Sequence, residues 1–296
     1  MKIFMLVLLL LVAAMAWQHF RYFEIRRSIV QDQQTILHSP GNFHVVTFLE
    51  VAPGAALIPE VSRLRRAIET TGPGKIIYAG QAAFTVQSRQ IGLRQWSAVI
   101  LVEYPSREAY DSAARNPAYR EALGAFVQTY SHGMKRSPLV NLMFPQLLLA
   151  LRSIDIMKGN WTPDPFEPTP TSELDKSIGL WKERIAKLIE LEPVNGEAAV
   201  VFNLMQPGDS KNQQANRSYS REMLSRMAAL GHGTMHVGRA VTVEGKADFE
   251  EVAIVYYPGV KYFSELLKSR FYQGIIGNKQ LADTVAVPTV PILSKL

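Results

Sequence analysis

The residues of this chain best suited to chemistry are histidines and tyrosines placed at expected turns and strands. His232-Gly233-Thr234-Met235-His236 sets two imidazoles four residues apart. On a helix that spacing puts both on one face, as a metal pair requires, but Gly231 and Gly233 turn the segment into a strand and no carboxylate stands beside it. No metal site is therefore expected. Tyr78 and His236 fall at nearly matching points of two expected strands, and Tyr104 and Tyr257 end two others. If these four faced an enclosed interior they would be polar handles for a ligand in an apolar pocket. The competing reading makes them strand-end and core aromatics satisfied by local partners. Tyr119 and Tyr272 suit helix-to-sheet packing.

No catalytic set accompanies them. The chain has no glycine-rich phosphate loop, no Gly-x-Ser-x-Gly elbow and no paired carboxylates at helical spacing in an apolar setting. Gly72-Pro73-Gly74 closes a helix, which is turn chemistry. With no cysteine among 296 residues, disulfides, zinc–thiolate centres and thiol nucleophiles are excluded. Charged residues make up 20% and apolar ones 47%, as in a globular protein. The net charge of +6 comes from scattered Lys and Arg without basic runs, so no nucleic-acid partner and no cofactor are expected.

The elements that would position these residues occur twice. Tyr104-Pro105, Tyr110, Arg115, Tyr119 and Gly124 fall, at one constant offset, on Tyr257-Pro258, Phe263, Lys268, Tyr272 and Gly277. With small slips, Ala52-Pro53-Gly54 matches Gln206-Pro207-Gly208, and Ala79-Gly80-Gln81-Ala82 matches Val237-Gly238-Arg239-Ala240. A long fixed period implies one structural unit used twice. In residues 43–142, strands are expected at 44–49, 76–86, 96–104 and 137–142. Helices are expected from Ile58 to Thr70 and from Ser106, re-capped at Asn116-Pro117. Residues 197–296 give the same β-α-β-β-α-β order, with strands at 198–205, 235–243, 252–257 and 285–293. Pro288 and Pro291 suit the last of these to a sheet edge. That order is the ferredoxin-like split βαβ unit. The expected fold is therefore α+β, with two tandem ferredoxin-like repeats. The linker at 143–196 carries an apolar helix at 147–156, too short to span a bilayer, and a proline-rich stretch from Trp161 to Pro170. A second helix is expected from Ser172 to Leu191.

The N-terminus differs from the rest. Residues 3–17 are apolar throughout and would span roughly 22 Å as a helix, with Trp17, Phe20, Tyr22 and Phe23 forming an aromatic belt as the helix continues to residue 23. An uncleaved membrane anchor at 1–23, followed by a polar stalk at 24–42, is the expectation. The rival is a signal peptide cleaved at Ala14-Met15-Ala16, against which Arg21, Arg26 and Arg27 count.

Glu103-Tyr104-Pro105-Ser106 and Asn116-Pro117-Ala118-Tyr119, echoed by Tyr257-Pro258 and Ser269-Arg270-Phe271-Tyr272, resemble the dimeric α/β-barrel superfamily. Within it they are most similar to the domain-of-unknown-function family 1330. The second echo lacks the family's proline. The resemblance implies that both repeats close into one intramolecular, pseudo-dimeric barrel. It also implies two functional alternatives. One is a membrane-tethered barrel that binds a small apolar molecule or a protein partner. The other is a monooxygenase-type enzyme, cofactor-poor or haem-dependent, that uses the barrel interior. His132 would be the candidate axial ligand in the haem-handling case, with a surface-loop histidine as the competing reading.

Overall fold

The structure, a computed structural model, describes residues 2–28, 30–31, 34–35, 41–160, 166–170, 179–229 and 234–296. Helix α1 (Lys2–Ser28) is followed by a two-residue ladder between Val30–Gln31 and Gln34–Thr35. The first set of elements is β1 (Phe43–Glu50), α2 (Leu57–Thr71), β2 (Lys75–Ala82), β3 (Ala98–Tyr104), α3 (Arg107–Ala114), α4 (Pro117–Gly124) and β4 (Gln128–Lys135). Helices α5 (Pro138–Met157), α6 (Gly179–Glu190) and α7 (Glu192–Asn195) lead to the second set. That set is β5 (Ala199–Pro207), α8 (Ser210–Ala229), β6 (Thr234–Thr242), β7 (Glu251–Tyr257), α9 (Val260–Lys268), α10 (Arg270–Ile275) and β8 (Leu281–Pro291).

The eight long strands form one closed antiparallel barrel in the order β8-β2-β3-β1-β4-β6-β7-β5. The first four run β2-β3-β1-β4 and the second four run β6-β7-β5-β8, so second, third, first and fourth strands follow one another in each half. The halves meet edge to edge at two seams, β4 with β6 and β8 with β2. Strand residues alternate between two environments. Val46, Phe48, Leu101, Tyr130, Phe202 and Ile254 are among those filling the interior. Val45, Leu49, Ile100 and Val102 pack outward against Val61, Leu64 and Ile68 of α2, the stripe legible in the sequence.

Both helix re-starts are capped as their sequences require. Ala118 donates its backbone N–H to Asn116 Oδ1 at 2.9 Å, with Pro117 at the first helical position. Tyr272 donates its backbone N–H to Ser269 Oγ at 3.1 Å. The linker residues Glu167 and Thr169 pair with Arg270 and Lys268 beside that cap.

Three sequence expectations are corrected. The fourth strand of the first half is 128–135, where Tyr130, His132 and Met134 face inward, and not 137–142, because Pro138 opens α5 at its first turn. Beginning there, α5 runs 20 residues and is longer than the expected apolar helix at 147–156. Pro288 and Pro291 do not mark an edge, since β8 is paired on both sides. Pro288 O accepts from Ala83 N at 2.9 Å. In an antiparallel strand the nitrogen of the same residue faces the same neighbour, so the missing N–H falls just beyond the end of β2, where the ladder has already broken. Residues 161–165 and 171–178, including the expected helix start at Ser172, Leu174 and Ile178, lie outside the described residues.

Helix α1 leaves Ile3, Phe4 and Leu8 exposed, and Ile3–Arg21 is long and apolar enough to cross a membrane with a mean hydropathy of 2.2, a measure that a signal sequence passes equally. Helix α5 also passes it, at 1.4.

The matched glycines Gly80 and Gly238 lie at the two seams. A Cβ on Gly238 would sit 2.5 Å from Met134 Cγ and 2.9 Å from the Lys135 carbonyl oxygen across the β4–β6 seam. The backbone oxygen has no way to retreat without breaking the ladder. Gly238→Ala is therefore expected to destabilise the fold by about 1–3 kcal/mol. Gly124→Ala, where nothing lies within 4 Å, should leave the melting temperature unchanged.

Candidate functional site: a cavity beneath helix α8

The four sequence-selected residues separate into two environments. Tyr78 and His236 both face the barrel interior and are buried. The cause is a local irregularity that both halves share: the ladder register shifts between Ile76 and Tyr78 on β2, and between Thr234 and His236 on β6. A bulge re-aims the residue that follows it. Thr289 Oγ1 donates to Val200 O at 2.9 Å, so Tyr78 donates its hydroxyl to Thr289 Oγ1, at 2.7 Å. His236 stacks on His44 with ring centroids 6.2 Å apart, and His44 Nε2 lies 3.2 Å from Glu103 Oε2. Burial lowers the His44 pKa, with Glu103 opposing that shift.

Tyr104 and Tyr257 do not join them. On β3 and β7 the interior parity belongs to Val99 and Leu101 and to Val252, Ile254 and Tyr256, so both strand-end tyrosines point outward under the helices. Tyr104 meets Tyr110 edge-on at 5.3 Å, and Tyr257 stacks on Phe263 at 4.3 Å. Burial pushes both phenols upward in pKa. His232 lies outside the described residues, and among those described no cluster of three or more metal-ligating side chains occurs.

His132 is an interior strand residue and not a loop histidine. Tyr130 OH lies 3.1 Å from its Nδ1, Phe249 meets its ring edge-on at 5.8 Å, and its Nε2 is buried without a hydrogen bond. Burial lowers its pKa to about 4. A haem iron would have to reach the in-plane lone pair of Nε2. With the ring 0% exposed and packed on both sides, the residues present do not fit that group.

Open space lies elsewhere. A cavity of about 550 Å³ separates the outer face of β5, β7 and β8 from α8 and the start of α5. Its volume is that of an ordinary small-molecule site. Comparing the halves by ladder register shows how it arises. On β3, Ile100 stands opposite Thr47; the corresponding pair on β7 and β5 is Ala253 opposite Asn203. Overhead, α2 presses Val61, Leu64 and Ile68 onto the first sheet, whereas α8 offers Asn216, Tyr219, Ser220 and Met223. Smaller and more polar residues on both walls leave a hollow where the first half has a packed core.

The walls are mostly apolar, with polar groups gathered at Lys279. Its Nζ donates to Asn203 Oδ1 at 3.4 Å and lies 5.9 Å from the centre of the Tyr219 ring. Asn203 is held in place because its Nδ2 donates to the carbonyls of Val201 and Ala253 at 3.3 and 3.1 Å. Desolvation lowers the Lys279 pKa to about 8. The residue as a whole keeps some exposure, but its ammonium is turned into the cavity. Burial raises Tyr219 to about 12, partly offset by a hydrogen bond with Tyr272. The charged lining residues are Lys279, Arg184 and Glu251, and burial raises the pKa of Glu251, which favours its neutral form. The site is thus an apolar chamber with a net cationic end. Sequence reasoning missed it because Lys279 follows a helix as an ordinary surface lysine would. The available signal was the unequal bulk of the matched positions, Ile100 against Ala253.

No protein-family model matches the chain, and no curated protein matches it. Among solved structures, the chain is similar to a chlorite dismutase variant from Candidatus Nitrospira defluvii, with 9% identity, TM-score 0.45, and 86% of this chain and 93% of that one covered. It is similar to an anthrone oxidase-like protein at 7% identity and TM-score 0.43, covering 89% and 94% of the two chains. A protein of unknown function from Rhodopseudomonas palustris shares 24% identity over 33% of this chain and 85% of its own, with TM-score 0.24.

Proposed function

We propose that this protein binds a small amphiphile, an apolar body with one anionic head, in the cavity beneath α8. The observation that carries the reading is Lys279, an ammonium directed into an apolar chamber of about 550 Å³ where burial works against its charge. A carboxylate or phosphate beside it would offset the desolvation of the ammonium, and the apolar walls would bury the tail at roughly 25 cal/mol per Å². Tyr257 contributes to the wall, while Tyr78, His236 and Tyr104 act in packing and in the interior polar contacts. The site belongs to a chain that α1 tethers to a membrane. The two halves are, in this reading, duplicates of one ferredoxin-like unit of the dimeric α/β-barrel superfamily, akin to family 1330. Its support is the common strand order, the paired bulges before Tyr78 and His236, and the equivalent caps at Asn116 and Ser269.

Titration of the full chain with decanoate tests the reading. Saturable 1:1 binding is expected, with Kd on the order of 1–100 µM. Heat or fluorescence changes that fail to saturate would overturn it. The competing monooxygenase-type reading draws on the unpaired Nε2 of His132. It gains only if the purified protein consumes oxygen on addition of an oxidisable aromatic substrate and His132→Phe abolishes that uptake.

A further inference from the structure

We infer that the cavity is loaded from the hydrocarbon phase of a lipid bilayer, through a mouth rimmed by the first turns of α5. The inference rests on the ligand-binding reading above and adds where its ligand comes from. Two independent features of α5 meet at this point. First, Val140 and Phe144 line the cavity, and Val140 is itself 43% exposed, so the chamber reaches the surface beside these turns. Second, α5 next to that mouth carries a run of large exposed apolar side chains, among them Leu139 at 63%, Leu142 at 53% and Leu147 at 45% exposure.

Soluble surfaces seldom concentrate such groups along one short stretch of helix. What covers them follows from α1. Gln146 Nε2 donates to the Met15 carbonyl at 3.0 Å, so α5 lies against the apolar helix whose residues 3–21 are long and apolar enough to cross a membrane. With α1 packed alongside, Leu142 and Leu147 still keep about half of their surface exposed, and a helix adjoining a membrane span has acyl chains as its nearest apolar medium. The exposed Lys135 and Lys158 flank α5 at its two ends, where anionic headgroups would lie. Helix α8 is joined to α5 by Ser225 Oγ, which donates to Asp155 Oδ2 at 2.8 Å, and this contact keeps the chamber beside the seated helix. An amphiphile dissolved in the bilayer would enter tail-first past Val140 and bring its head to Lys279.

The absence of cysteine allows a clean test. Nitroxide-labelled single-cysteine variants Leu142→Cys and Leu147→Cys, made in the full chain, are reconstituted in phosphatidylcholine–phosphatidylglycerol vesicles. Leu93→Cys, at an exposed site on the barrel, is the control. The labels on α5 are expected to relax with dissolved oxygen and to be shielded from a water-soluble nickel complex, while the Leu93 label shows the reverse. Nickel access at all three sites overturns the inference. So does shielding from both agents with spin–spin broadening, which would mean a second copy covers this face.

Loading is then followed directly. Transfer of a fluorescent long-chain fatty acid from vesicles should slow by at least about tenfold in Leu142→Glu/Leu147→Glu, while decanoate binding from water is unchanged. Equal transfer rates, with decanoate still bound, overturn the membrane route alone. Failure of the wild-type chain to bind decanoate overturns the pocket reading and this inference together.

Discussion

Replacing Ala253 by Phe should abolish decanoate binding, with a loss of at least about 100-fold, and leave the protein as stable as before or more so. Ala253 lies on β7 with its side chain under α8, at the point where the first half carries Ile100. Filling a chamber that already exists adds van der Waals partners without forcing neighbours apart, unlike overpacking of a closed core. The smaller change Ala253→Ile copies the first half and should weaken binding by a lesser factor. If Ala253→Phe melts normally and still binds decanoate with wild-type affinity, the ligand is not in this chamber.

Lys279→Met is expected to separate affinity from stability. Binding of decanoate should fall roughly 10- to 100-fold, the value of a charge-assisted hydrogen bond, whereas decanol should bind wild type and variant alike. The ligand-free variant should melt a few degrees higher at pH 7. The direction follows from the depressed pKa of a base: about 8 in the folded chain against 10.5 for the free side chain. Below pH 8 the ammonium is charged in both states and its desolvation opposes folding in full. Between pH 8 and 10.5 the unfolded state holds more protons, so wild-type stability rises with pH and the gap to Lys279→Met closes. Thermal melts at pH 7 and pH 10 measure both ends. A gap that widens with pH would contradict the placement of the ammonium in the chamber.

Much of the architecture was legible in the chain. The matched Tyr-Pro and helix re-start motifs placed two β-α-β-β-α-β runs, and the β-branched, apolar residues 44–49 read as a strand, which the structure buries on both faces as a barrel covered by helices requires. What failed did so where local chemistry and tertiary context disagree. Gln128–Lys135 is polar enough to read as a loop, yet it is the strand whose Tyr130, His132 and Met134 point inward. The prolines of β8 looked like edge markers because a sequence does not show that a partner ladder has already ended.

The site was less legible than the fold. Parity along β2 and β6 could be counted, but the bulges before Tyr78 and His236 could not, and they decide which side those residues face. Tyr104 and Tyr257 were grouped with them by type, whereas their position at strand ends puts them under helices. The cavity itself is a property of missing volume. Only a comparison of Ile100 with Ala253, and of the Val61-Leu64-Ile68 stripe with Asn216, Ser220 and Met223, hints at it before the strands are paired.

The central claim, that the ligand occupies the chamber beneath α8 with its head at Lys279, is tested most directly by photo-crosslinking. The probe is a decanoate analogue bearing a diazirine near the end of its chain, applied to the full-length protein and mapped by peptide mass spectrometry. The account predicts that labels fall on α8 within residues 219–227 and on the facing wall at Val201, Ala253 or Ala286, and that excess decanoate competes them away. Labels concentrated on Phe48, Tyr130 or His132 would place the ligand inside the barrel and contradict it.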